Sequence, residues 1–265
     1  MTRTPRLLAS LAALSLVAAA CGGSDSDTSS DAGLKTIAEG KLTVCSDAPY
    51  EPFEFQDESG KWTGFDMDLM REIATDNGLE LEVTVQPFDG IWLAPQAGTC
   101  DAVASSMTIN EERAANADFT EGYFDSYQSL LVRTEDKDTL TSLESIAGKT
   151  IAVQTGTTGE AFAKKNAPTA KIQSFDDASA MFLALESKQV DGVLQDFPIN
   201  AFRAVKQGTS AVSAEFKDVI EQYGFSVAKG NTELLSAMNA SLAELRDNGK
   251  YEEIFATYFG ASTGY

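Results

Sequence analysis

Residues 150–175 read TIAVQTGTTGEAFAKKNAPTAKIQSF. TIAVQ (150–154) and KIQSF (171–175) are short β-rich runs, and residues 158–166 between them have helical character. Strand–helix alternation of this kind argues an α/β protein with largely parallel sheets. The glycines of QTGTTGE (154–160) sit between strand and helix without the lysine that a nucleoside triphosphate needs. What remains is a helix amino terminus whose N–H groups suit a small anion or carboxylate. The upstream AGKT (147–150) ends like a phosphate-binding loop, but Leu143 stands where its first glycine belongs and the GKT leads into a strand.

The alternation extends in both directions. Strands are expected at LTVCS (42–46), LEVTV (81–85), DAVAS (101–105), SLLV (129–132) and DGVLQ (191–195). Helices are expected from an Asp66 cap to about Asn77, briefly around Ile91–Ala97, and over 177–188, 197–207, 232–247 and 251–259. Gly78 ends the first of these and Pro95 limits the second.

Composition excludes much familiar chemistry. Among 265 residues, 20 Lys+Arg face 40 Asp+Glu, for a net charge of −20, and histidine is absent. The acidity argues against nucleic acid as partner. Without histidine there is no Ser-His-Asp or Cys-His site and no His-ligated metal, and three cysteines cannot make a four-thiolate zinc site. No cofactor and no metal are expected.

The amino terminus reads as an address. Arg3 and Arg6 precede a mostly apolar run, Leu7 to Ala20, too short to span a bilayer comfortably. Residues 1–20 are therefore read as a signal peptide. Ala18–Ala20 lead directly into Cys21, which resembles a lipoprotein lipobox, with Ala18 where Leu is usual. The resemblance implies lipidation of Cys21. GGSDSDTSSDAG (22–33) has no apolar stripe and reads as a flexible tether, so residues 21–33 form a lipid-anchored leash.

Three strand ends collect polar residues: SDAPYEPFEF (46–55), SSMTINEER (105–113) and QDFP (195–198). In open α/β sheets, ligands bind beyond the carboxyl ends of strands. Arg113 can pair bidentately with a carboxylate, and Asp196 can accept from an ammonium. Tyr50 and Phe88 can sandwich an apolar stem or a cation. The set is complementary to a zwitterion.

These segments, together with GFDMDLMREIA, PFDG, DFTEGYFDS, GKTIAVQTGTTGEAFAKK and NGKYEEIFATYFG, resemble the polar-amino-acid solute-binding proteins of ABC importers, solute-binding family 3, over about residues 34–260. The resemblance implies a two-lobed α/β fold of the periplasmic-binding-protein type (type II) with two hinge crossings. Lobe 1 would comprise residues 34–125 and 222–265, and lobe 2 residues 126–221, with crossings near Gly122–Ser126 and Glu221–Phe225. It implies that Arg113 clamps the ligand α-carboxylate, helped by the Thr108 hydroxyl, the Ser106 backbone and the N–H groups of Thr157 and Thr158. Asp196 would take the α-ammonium, Tyr50 and Phe88 would stack on the side chain, and Asp47 would meet its polar tip. Gln154 and Gln195 would help choose the ligand, and Ser105 joins the same pocket. Asp47 favours Gln or a cationic amino acid over Glu or Asp, whose carboxylate it would repel. Glu51, Glu54, Asp66 and Asp68 are read as solvated or capping acids.

The implied partners are a free amino acid, a permease and its ATPase, and the membrane through the lipid, with the protein a monomer outside the cytoplasm. Cys45 and Cys100 lie in an oxidising compartment, which favours a bridge. Straight strands would hold them roughly 13 Å apart, which favours two buried free thiols; the reading leans to the thiols. Two other classes compete. A cyclohexadienyl or arogenate dehydratase-like enzyme would need Asp47, Asp196 or a tyrosine as acid or base, and no carboxylate pair is dedicated to that chemistry. A sensor ectodomain would need a membrane span or signalling domain after Tyr265, where none is expected.

Overall fold

The computed structural model describes residues 34–260. The leader, Cys21 and the tether read from the sequence lie outside the described residues. Among the described residues no helix is long and apolar enough to cross a membrane.

The chain begins with strand β1 (Lys41–Ser46), a small hairpin of β2 (Phe55–Gln56) and β3 (Trp62–Thr63), helix α1 (Phe65–Asp76) and strand β4 (Glu80–Val85). Strand β5 (Ala102–Val103), helix α2 (Glu111–Ala114) and strand β6 (Ala117–Phe119) follow. A second group runs β7 (Phe124–Arg133), β8 (Thr150–Gln154), α3 (Thr158–Asn166), β9 (Lys171–Phe175), α4 (Ala178–Glu186), β10 (Gly192–Asp196), α5 (Phe197–Gln207) and β11 (Ser210–Tyr223). The chain then returns through β12 (Ser226–Ala228) to α6 (Thr232–Asp247) and α7 (Lys250–Phe259).

Two five-stranded sheets result, ordered β4-β1-β5-β12-β6 and β11-β7-β10-β8-β9. Each is parallel except at one strand: β12 is antiparallel to β5 and β6, and β7 is antiparallel to β10 and β11. The chain passes between the sheets after β6 and again after β11. At these crossings Tyr123 N–H donates to the Tyr223 carbonyl (2.8 Å) and Thr120 N–H to the Phe225 carbonyl (2.9 Å). The Tyr123 and Phe225 rings stack at 4.1 Å, and Phe65, Phe255 and Phe259 pack around Phe124. The carboxyl-terminal helix thus braces the crossings through aromatic burial.

Helix α1 forms because Met67, Met70, Ile73 and Ala74 recur at helical spacing, and all four are buried. Its N-cap is Gly64 rather than Asp66, and no side chain caps it. Gly64 holds φ +115°, and a Cβ there would lie 2.1 Å from the Phe53 carbonyl oxygen. Only glycine lets the PFEF turn press this closely on the helix start.

Three further expectations need correction, and one strand is unexpected. The segment after PFDG makes only a 3-10 turn, Ile91–Leu93, because Pro95 cannot supply an N–H to continue a helix. The strand expected over 101–105 is just Ala102–Val103, since Asp101 turns its carboxylate onto the Thr43 and Ile37 N–H groups. Strand β11 is unexpected, because SAVSAEFKDVIEQY carries charge without an alternating apolar face; it is an edge strand, where charge is tolerated. Cys45 and Cys100 are disulfide-bonded, with Cα atoms 5.8 Å apart, instead of free. The straight-strand estimate fails because residues 98–101 are not extended: Thr99 N–H bonds back to the Ala94 carbonyl and Asp101 N–H to Thr43, which lays Cys100 beside β1.

Candidate ligand-binding site

Asp47, Tyr50, Phe88, Ser105, Ser106, Thr108, Arg113, Gln154, Thr157, Thr158, Gln195 and Asp196 all line one cavity between the two sheets, together with Glu54. The walls stand close together: the cavity measures about 20 Å³, roughly the room of a single water molecule. The residues come from strand ends. Asp47 follows β1, Ser105 and Ser106 follow β5, Gln154 ends β8, and Gln195 and Asp196 end β10.

Arg113 is the cation of the site. Only 2% of it is exposed, so it is not a solvated helix arginine. Its Nη1 donates to the Thr108 carbonyl (2.7 Å) and its Nη2 to the Gly156 carbonyl (3.0 Å). The guanidinium lies over the rings of Phe88 and Trp92, at 5.1 and 5.2 Å. Burial lowers its pKa to about 10, opposed by the charges of Asp196, Glu221 and Glu112. Among the described residues it has no carboxylate within salt-bridge distance, so its charge is left for an anion.

The acids are more numerous. Asp47 accepts from Gln154 Nε2 at 2.5 Å, which joins the two sides of the cavity, and burial raises its pKa to about 7. Asp196 stands at the N-cap position of α5 but does not cap it. Its carboxylate accepts instead from Gln128 Nε2 (2.6 Å) and Tyr223 OH (2.5 Å). Burial, then the Glu221 charge, raise it to about 7 against those bonds and Arg113.

Glu54 and Asp66 overturn their reading as solvated or capping acids, since neither has exposed surface. Ser106 joins them: its Oγ donates to Glu54 (3.1 Å) and its N–H to Asp66 (2.8 Å), while Tyr123 OH donates to Asp66 (2.7 Å). Burial and the neighbouring Asp66 push the Glu54 carboxyl well above its ordinary range. Burial raises Asp66 to about 7. Glu54 Oε1 is buried without a hydrogen-bond partner. Ser106 has φ +44°, a conformation that costs a non-glycine residue and often accompanies function. Its N–H is committed to Asp66, so it is not available to a ligand carboxylate. Of the other two acids, Glu51 ion-pairs with Lys206 and Asp68 with Arg71.

The wall opposite Arg113 is the start of α3. Thr157 caps it, accepting from Glu160 N–H at 3.1 Å, and the first-turn N–H groups have no partner inside the helix. Gly156 holds φ +77°, and a Cβ there would lie 2.6 Å from Asp89 Oδ1 of the PFDG loop. Gln195 Nε2 is buried without a partner, an unused donor at the cavity wall. Sequence reading missed Glu54, Gln128, Glu221 and Tyr223. Glu54 had a local signal, lying one turn after Tyr50 in the same motif; the other three have none, because they reach the site from β7 and β11.

Comparison with known proteins follows the same lines. The model of the family described as bacterial extracellular solute-binding proteins, family 3, matches residues 42–261. A probable histidine-binding protein of Neisseria gonorrhoeae is 31% identical over 269 residues, covering 97% of this chain and 96% of that one. The solved structure of an ancestral arginine-binding protein bound to arginine is 38% identical, with TM-score 0.79, covering 83% of this chain and 99% of that one. An ancestral amino acid-binding protein, a precursor of cyclohexadienyl dehydratase, is 36% identical with TM-score 0.78, covering 83% and 96%.

Proposed function

Because the chain belongs to the bacterial extracellular solute-binding proteins of family 3, we propose that it captures a free polar amino acid, with a cationic side chain favoured, and delivers it to the permease of an ABC importer. Its fold is the two-lobed α/β fold of such proteins (type II). One observation carries the ligand class: a single buried cation, Arg113, shares the cavity wall with three acids, Asp47, Glu54 and Asp196. Arg113 suits the α-carboxylate and Asp196 the α-ammonium. Asp47 and Glu54 are then left for the side-chain tip, where a cation neutralises them and a carboxylate is repelled.

Capture is by closure of two lobes. Asp47 with Gln154, Arg113 with Gly156, and Glu51 with Lys206 pair across the cleft. A ligand that touches both sides favours the closed state. The leader over residues 1–20 is removed and Cys21 takes the lipid, which holds the body at the outer face of the membrane. The test is calorimetric titration of ligand-stripped protein with L-arginine, L-lysine, L-histidine, L-glutamine, L-cystine and L-glutamate. L-arginine or L-lysine is expected to bind tightest and L-glutamate not at all; tight L-glutamate binding, or no amino acid binding, overturns the reading. Cys21→Ala is expected to move the protein from the membrane to the soluble fraction.

An enzyme on this scaffold is the weaker reading. The dehydratase precursor among the similar structures is itself an amino acid-binding protein. Product formation from a cyclic precursor during incubation would revive it.

A further inference from the structure

We propose that Glu221, at the end of β11, is a positioning residue that turns the hydroxyls of Thr108 and Thr158 into acceptors and so makes this part of the cavity a receptor for the ligand α-ammonium. The inference rests on the amino-acid reading above. Glu221 Oε2 accepts from Thr108 Oγ1 and from Thr158 Oγ1, each at 2.8 Å. Both threonines line the cavity, whereas Glu221 does not. It stands behind them, on the strand that leads into the second crossing.

A carboxylate only accepts hydrogen bonds, and a hydroxyl has a single proton to give. With both protons directed at Glu221, each threonine oxygen has lone pairs left for the cavity and no donor. The two hydroxyl oxygens are 3.4 Å apart, close enough for one N–H-bearing group to reach both. Gln128 extends the arrangement. Its Nε2 donates to Asp196 Oδ1 at 2.6 Å and lies 3.3 Å from Glu221 Oε1 and 3.4 Å from Thr158 Oγ1. Thr108, Thr158 and Asp196 thus make one set of acceptors, tied together through Gln128 and Glu221.

This set suits an ammonium with its three donors and repels a carboxylate. It reassigns the Thr108 hydroxyl, which the sequence resemblance places on the α-carboxylate. That group is left to Arg113 and the first turn of α3. An amide at position 221 keeps the shape but removes the charge: its oxygen takes both threonine protons only by setting its own NH2 where Oε1 stands, against Gln128 Nε2 at 3.3 Å, so the acceptor set loses the carboxylate behind it.

The test measures affinities for two probes, L-arginine and 5-guanidinopentanoic acid, which lacks the α-amine, in the wild-type protein, Glu221→Gln and Glu221→Asp. The wild type is expected to prefer L-arginine strongly. Glu221→Gln is expected to reduce that preference about tenfold, the worth of a charge-assisted hydrogen bond. Glu221→Asp, still an acceptor only, is expected to retain most of it. Agmatine, which keeps the amine but lacks the carboxylate, is expected to weaken in parallel with L-arginine. An unchanged preference in Glu221→Gln overturns the proposal, whether both affinities fall together, as for a purely structural residue, or neither does. If the wild type binds no L-arginine, lysine or other amino acid, the underlying reading fails first, and the two failures are distinguishable.

Discussion

Asp47 and Asp196 are carboxyls whose burial moves them from an ordinary 3.8 to about 7. Raised folded-state values mean that the folded chain holds protons the unfolded chain has already released. Ligand-free stability is therefore expected to fall as pH rises from about 4 to about 7, and to be regained on acidification. A cationic ligand favours the ionised acids, so its binding releases protons and its affinity rises with pH across the same window. Urea unfolding of the stripped protein checks the first effect. Titration of L-arginine near pH 6 in buffers of different ionisation enthalpy checks the second, and proton uptake on binding would contradict it. Membership of the cavity was legible at this scale for twelve residues, from the polar strand ends together with the family resemblance. The states of Glu54 and Asp66 were not, because nothing local distinguishes a buried acid from a solvated one.

At the scale of elements, the start of α3 and the PFDG loop meet across the cleft at Gly156. Its backbone lies at φ +77° and its missing Cβ makes room for Asp89. Gly156→Ala is expected to weaken L-arginine binding by about tenfold or more, through a strained αL alanine and a wedge between the two sides. Most of the folding stability should remain, because the strain lies in a loop at the cleft. Calorimetry together with small-angle scattering on ligand addition checks this, and unchanged affinity would contradict it. Helices α3 and α5 fall where periodicity places them, because each buries one apolar stripe against a sheet. Strand β11 was illegible for the opposite reason: its pairing with β7 is made by backbone, and its side chains carry no face pattern.

Among the described residues two five-stranded sheets are joined by two crossings, and one disulfide closes a long loop. Cys45 and Cys100 are 55 residues apart in sequence, and closing a loop of that size restrains the unfolded chain by about 4 kcal/mol in the entropic account. Cys45→Ala/Cys100→Ala is expected to lower stability by about 2–4 kcal/mol in urea unfolding. A thiol assay on the denatured, unreduced Cys21→Ala protein is expected to find no free thiol; two would remove the bridge. At this scale charge also has a place. Removing residues 1–20 takes away two arginines and no acids, moving the net charge from −20 to −22. That field suits a cationic solute and adds to the excess of acids in the cavity.

The sequence by itself determined the α/β alternation, the strand ends that line the cavity, and the presence of Arg113 and Asp196 among them, since each depends on local periodicity or on a short motif. Tertiary structure alone decided the Cys45–Cys100 bridge, the buried Glu54 and Asp66, and the hold of Glu221 on two threonines. Those features arise where segments far apart in sequence approach: Ser106 meets Asp66 across 40 residues and Thr108 meets Glu221 across 113. Whether a hydroxyl donates to a ligand or accepts from it depends on what stands behind it, and that is set only when the chain has folded.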